Sequence, residues 1–299
     1  MAGRKIVYEM FPLGFGEFLD FRGSPYRRRT TLAEMRFDPH EFERLKTCYE
    51  EFVTFGGLPN VVLEPRLEVK REILNDIFSS YINIDVPSMA DFRKIDELQK
   101  LLKILAVQIG NKLDYTKLSS IVGISRPTLK TYLEFLEKTY VIYQLPAYAG
   151  PDKAAALGRK LYFRDNGIAG ILAHPGDGAL FENALFNQLW GYGKLAYLSR
   201  GNEHKVDFIL TQTDVQPAGL EAKYHPIETD DQKVKRIVRK NERSQAWTVG
   251  KYPAPGFEDF IWGDRFFKLC NERLSCAVMT YPAVALYTPR VRCLTASFC

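Results

Sequence analysis

Two runs of residues, Val206-Asp207-Phe208-Ile209-Leu210 and Gly219-Leu220-Glu221-Ala222-Lys223-Tyr224, decide how this chain reads. Both have the period and composition of strands. In the second, Glu221 and Lys223 are two apart and share one face, while Leu220, Ala222 and Tyr224 share the other. Asp207 and Glu221 are separated by 14 positions (221 − 207), enough for two strands and a turn that set the carboxylates side by side. Ahead of them, Gly178 to Trp190 has a helical period. Leu185, Phe186 and Leu189 stand at +3, +4 and +7 from Glu182, which places that carboxylate on the apolar side of its helix.

Three acids and a lysine in this order suit phosphodiester hydrolysis. Asp207 and Glu221 are the expected ligands of Mg²⁺, a hard cation that takes oxygen donors and keeps several waters. Lys223 beside them is expected to orient water or to neutralise charge developing on phosphate. The expected catalytic set is therefore Glu182, Asp207, Glu221 and Lys223. A plainer reading stands beside it, because an E-x-K pair in a strand is common as a surface ion pair.

The sequence around this stretch continues the pattern. Lys194 to Arg200 reads as a further strand, and Gln245 to Gly250 and Phe257 to Trp262 as two more. Lys233 to Arg243 reads as a basic helix with Val234, Ile237 and Val238 inward. The order helix, three strands, helix, strand fits an α/β sheet with helices on its faces. Upstream, Asp114 to Glu137 reads as two short helices joined at Gly123, with Ser125 as the cap of the second. Arg126, Thr128, Lys130 and Thr131 project from the start of that second helix, where DNA readers place contacts. Glu134 and Glu137 dilute the positive face, and packing against protein is the alternative use. Val141 to Tyr148 and Lys160 to Phe163 then read as two strands of a wing.

Earlier still, Asp38-Pro39 starts a helix that runs to Thr54 and ends in Gly56-Gly57-Leu58-Pro59. Arg66 to Ile84 and Asp91 to Leu113 carry apolar stripes of core helices. Arg27-Arg28-Arg29 reads as a solvated loop. The chain has 299 residues, 46% hydrophobic and 26% charged, the balance of a globular protein. A net charge of +5 is compatible with a polyanionic partner without requiring one. No apolar run reaches the roughly 18 residues needed to cross a bilayer, so a cytoplasmic protein is expected. Of the five cysteines, Cys270, Cys276, Cys293 and Cys299 crowd the last 30 residues, and no pair has zinc-site spacing.

In series, further residues carry a resemblance. They are Phe11-Pro12-Leu13 with Glu17-Phe18-Leu19, Phe55 to Pro59, Gln108 to Asn111, Gly123 to Thr128, Phe181-Glu182-Asn183, Val206-Asp207-Phe208 and Glu221-Ala222-Lys223. Together they resemble the C-terminal part of a group of bacterial and archaeal AAA-type ATPases, in which a domain of unknown function follows the ATPase. The resemblance implies a winged helix followed by a restriction-endonuclease-like three-layer α/β domain, α+β overall. It divides the chain into an ATPase-end remnant (1–65), a helical region with the winged helix (66–165), the nuclease-like domain (166–268) and an atypical tail (269–299). It also implies DNA as a partner, a separate ATPase subunit as a second one, and a truncated or split member of the group. No ATP is expected to bind, since Gly193-Lys194 and Gly250-Lys251 lack the remainder of a phosphate-binding loop. A non-catalytic regulatory or interaction module is the competing function, and a non-functional gene remnant the third.

Overall fold

A computed structural model describes residues 8–26, 36–89, 95–200, 204–213, 215–239, 245–254, 256–257, 259–263 and 292–293. Arg27-Arg28-Arg29, Lys240 and Arg243 lie outside these residues, as does the cysteine-rich tail apart from Arg292 and Cys293. The chain begins with β1 (Tyr8–Glu9), α1 (Phe15–Phe21), α2 (Pro39–Phe55), α3 (Pro59–Leu63) and α4 (Leu67–Ser80). Asp38 caps α2 by accepting from the His40 and Glu41 backbone N–H groups, and Pro39 occupies its first turn. A π-helical turn, Tyr81–Asp85, leads from α4 into the short α5 (Val86–Met89).

α6 (Ile95–Ala106) ends short of Leu113, where the apolar pattern that starts at Asp91 runs out; residues 91–94 lie outside the described residues. Gly110 takes φ +76°, outside the helical region, and the chain straightens. Gly110 N–H then donates to Leu161 O, Leu161 N–H to Asn111 O and Leu113 N–H to Arg159 O. Ile109 and Leu113 stay buried, so their burial survives although the helix does not. The period of apolar residues tells which side chains are core; the hydrogen bonds of residues 110–113 to Arg159 and Leu161 set them outside the helix.

α7 (Tyr115–Val122) and α8 (Arg126–Lys138) follow, joined through Gly123 in the left-handed conformation. Asp114 caps α7, and Ser125 caps α8 by accepting from Thr128 N–H. Leu129, Leu133 and Leu136 bury the inner face of α8 in the same core as Leu101, Leu102 and Leu105 of α6. Each such leucine contributes about 1.5–3 kcal/mol of burial. Next come β2 (Ile142–Pro146), α9 (Pro151–Leu157) and β3 (Arg159–Phe163), with β2 and β3 antiparallel. The connection between these two strands thus holds a helix as well as a turn.

The second half is α10 (Asn166–Leu172), α11 (Asp177–Leu189), β4 (Lys194–Arg200), β5 (His204–Gln212), β6 (Val215–Lys223), α12 (Glu228–Arg239), β7 (Gln245–Gly250) and β8 (Ile261–Trp262); β9 (Arg292–Cys293) pairs with β1. Strands β4 to β8 form one sheet in sequence order, antiparallel through β6 and parallel from β6 to β8. Phe208 and Leu210 share a core cluster with Phe186 and Leu189 of α11, and Ile209 packs instead with Val234, Ile237 and Val238 of α12. Alternating residues of β5 therefore meet helices on opposite faces. α12 starts at Glu228, five residues before the basic run, with Glu228, Asp230 and Asp231 in its first turn. Acids there complement the positive end of the helix dipole. The result is a mixed α/β protein whose main apolar core runs from Leu13 to Trp262, crossing the boundaries expected at 65 and 165.

Candidate functional site: an acid–lysine cluster at the start of β5

Glu182 is positioned by its neighbour. Asn183 is fully buried and pins α11 to β3, accepting from Phe163 N–H at 2.8 Å and donating to Phe163 O at 3.0 Å. Asn183 also donates to Asn166, whose own amide donates to Val53 O and Leu180 O. One residue earlier on α11, Glu182 therefore stands over Lys160 and Tyr162, which are two apart on β3 and share a face. Tyr162 O–H donates to Glu182 Oε1 at 2.6 Å.

Asp207 and Glu221 meet across β5 and β6 as the spacing suggested. The β5–β6 register runs from Gln212 to Phe208, opposite Leu220. Just beyond it the side chains take over from the ladder. Asp207 N–H donates to Glu221 Oε2 at 3.2 Å, and Ala222 N–H donates to Asp207 Oδ2 at 3.1 Å. Lys223 lies beside Glu221, with Nζ 3.2 Å from Glu221 Oε1 and 3.8 Å from Asp230 Oδ1.

The residue that joins the two halves is Lys160, which the sequence reading did not single out. Its ammonium lies 3.2 Å from Glu182 Oε1 and 2.9 Å from Asp207 Oδ1. Glu182, Asp207, Glu221 and Lys160 are all less than one fifth exposed, so the cluster is recessed but open to solvent. The only sequence signal for Lys160 was a charge at an alternating strand position, which is usually a surface residue.

Burial raises the pKa of Glu182, and the neighbouring Asp207 adds to this, against Lys160. Burial and then Asp207 push Glu221 up to about 7. Burial pulls the Lys160 ammonium down, but Asp207 and Glu182 outweigh it and hold the pKa above its ordinary value. Burial, followed by Glu182, keeps Tyr162 well above the ordinary phenol range. Glu182 and Glu221 are thus both shifted toward their protonated forms, while Lys160 and Lys223 hold their protons more tightly than free ammonium groups.

Two carboxylate oxygens converge on one cation position, and Lys160 holds it. Mg²⁺ binds oxygen at about 2 Å, so it cannot share that point with the ammonium. Among the described residues, no three Asp, Glu, His or Cys side chains are disposed to hold a metal ion. Where it stands, the Lys160 ammonium neutralises Glu182 and Asp207.

The four residues expected to touch nucleic acid lie apart from this cluster, on α8. Arg126, Lys130 and Thr131 are exposed and Thr128 is half-buried. Arg126 donates to the Thr116 hydroxyl, Thr128 N–H is held by Ser125, and Thr131 O–H donates to Pro127 O. Glu137 turns away from this surface, accepting from both the backbone and the side-chain amide of Gln144 at 3.0 Å. Among the described residues, no helix is long and apolar enough to cross a membrane.

A family model described as a domain of unknown function (DUF8612) matches residues 46–177. The chain is 29% identical over 221 residues to the uncharacterized protein MJ1544 of the archaeon Methanocaldococcus jannaschii, covering 70% of this chain and 48% of that protein. It is 26% identical over 226 residues to an uncharacterized protein of Haemophilus influenzae, covering 72% and 52%. A second Methanocaldococcus jannaschii protein, MJ1637, is 24% identical over 275 residues, covering 82% and 56%. No solved structure matches the chain. The chain spans about half the length of these curated relatives, which are prokaryotic and distant.

Proposed function

We propose that this chain is a nucleic-acid-binding, nuclease-like module of a larger protein resembling the AAA-type ATPases. The observation that carries this reading is the meeting of Glu182, Asp207, Glu221, Lys160 and Lys223 from α11, β5, β6 and β3 at one recess. The order of α11, three antiparallel strands, α12 and a parallel strand supports a restriction-endonuclease-like domain. The glycine-linked α7 and α8, followed by β2 and β3, support a winged helix whose exposed Arg126 and Lys130 touch phosphate. Lys223 and Lys160 supply positive charge for a phosphodiester at the recess. A divalent ion such as Mg²⁺ enters this scheme only after the Lys160 ammonium leaves its place. A non-catalytic regulatory role, in contact with an ATPase subunit, is the second reading. It is favoured by the same Lys160, which already neutralises Glu182 and Asp207.

The test is cleavage of a supercoiled plasmid with Mg²⁺, comparing the parent with Asp207→Ala and Glu221→Ala. Cleavage by the parent that drops about a hundredfold in each variant supports the first reading, a loss typical of removing one electrostatic group from a site. Equal rates in all three proteins, or no cleavage at all, leave the module without chemistry. In parallel, Arg126→Ala with Lys130→Ala is expected to weaken duplex binding and to flatten its salt dependence by up to about 2 in logarithmic slope.

A further inference from the structure

On the rim of the acid–lysine cluster stand two more lysines, one step along the strands from its members. Lys205 is two residues from Asp207 on β5 and so lies on the same face. Lys112, on the extended segment after Gly110, faces Lys160 across an antiparallel bridge. The two come together at β4. Lys112 Nζ donates to Ser199 Oγ at 3.3 Å, and Ser199 is the register partner of Lys205. Tyr197, two residues before Ser199, underlies the group, with its ring centroid 5.3 Å from Lys112 Nζ and 5.9 Å from Lys160 Nζ.

The charge here is one-sided. Lys160 is matched by Glu182 and Asp207, whereas among the described residues no acid forms an ion pair with Lys112 or Lys205. Burial first, then the like charges of Lys205 and Lys160 crowded beside it, lower the Lys112 pKa. Crowding of this kind costs free energy that a bound anion returns. Two ammonium groups and a hydroxyl offer several donors to one group of oxygens, and phosphate matches that set through charge-assisted hydrogen bonds.

We propose that Lys112 and Lys205, with the Ser199 hydroxyl, form a phosphate-binding subsite that seats a nucleic-acid backbone phosphate beside Asp207. The inference rests on the nucleic-acid reading above for the source of the phosphate, but the subsite itself does not. The carboxylates repel a polyanion, so a separate cationic seat is what allows a strand to lie against them.

The test measures acetylation of lysine side chains by mass spectrometry, with Lys153 on α9 as the exposed reference. It is run on the full chain alone, with a short DNA duplex and with pyrophosphate. Both ligands are expected to slow acetylation of Lys112 and Lys205 at least severalfold and to leave Lys153 unchanged. Lys112→Gln with Lys205→Gln, checked for native circular dichroism, is expected to lower duplex affinity roughly tenfold and the salt slope by about 1. Protection by pyrophosphate with no binding of duplex keeps the subsite, assigns it a free phosphate compound and removes the nucleic-acid reading. No protection by either ligand overturns the subsite. So does parent-like affinity and slope in the double variant.

Discussion

The Lys160 ammonium stands 2.9 Å from Asp207 Oδ1, and through that contact β3 is tied to β5 of the main sheet. The same ammonium reaches Glu182 on α11, so one side chain holds three elements together. Lys160→Met leaves two recessed carboxylates facing each other and is expected to cost about 3 kcal/mol, the scale for breaking a buried ion pair. Adding Asp207→Asn then removes less stability than it does alone. Urea denaturation of the four proteins gives the coupling, and additivity within about 0.5 kcal/mol would show that the pair is not an interacting unit. Lys160→Met also frees the cation position, so Mn²⁺ should raise its melting temperature more than it raises the parent's.

Gly110 controls the approach to Glu182 from the other side. A Cβ at residue 110 would lie 2.8 Å from Glu182 Oε1, and φ is +76°. Gly110→Ala is expected to destabilise by about 1–3 kcal/mol through the left-handed backbone, with a further cost from displacing a carboxylate held by Tyr162 and Lys160. In a Glu182→Ala background only the backbone part should remain. Equal losses in both backgrounds would mean that the carboxylate does not feel residue 110.

Asn183 and Asn187 both bond the Phe163 carbonyl, but Asn183 alone takes the Phe163 N–H. Asn183→Ala therefore orphans a buried donor and should cost about 1–3 kcal/mol. Asn187→Ala leaves that carbonyl with Asn183 and should cost less. Thermal denaturation ranks the two, and a reversed order would place the anchor of α11 elsewhere.

Asp165 gives the stability a pH dependence of unusual sign. Its carboxylate caps α10 at Ile168 N–H and accepts from Gly57 N–H at 2.8 Å, yet burial dominates and lifts the pKa to about 6. The folded state thus keeps a proton that the unfolded chain, with an ordinary pKa near 3.8, has released. This group stabilises the fold most below about pH 4, loses that contribution as pH rises to about 6, and is flat above. The change is on the order of 1–3 kcal/mol. Urea midpoints at pH 4.5 and 7, compared between the parent and Asp165→Asn, should show this component vanish in the variant. An unchanged difference would assign it to other groups.

Local chemistry determined much of this protein from sequence alone. Asp38 and Ser125 cap their helices because each side chain needs only the next three backbone N–H groups. The strand alternation of Glu221 and Lys223 became an ion pair for the same short-range reason. Tertiary structure decided what depends on distant partners. The apolar stripe through Leu113 looked helical, but hydrogen bonds to Arg159 and Leu161 pull residues 110–113 alongside β3. Lys160 was unremarkable in sequence because its meaning comes from Glu182, 22 residues away, and Asp207, 47 residues away. A charge in a strand is ordinary until folding removes water from around it and sets two carboxylates within 3.2 Å.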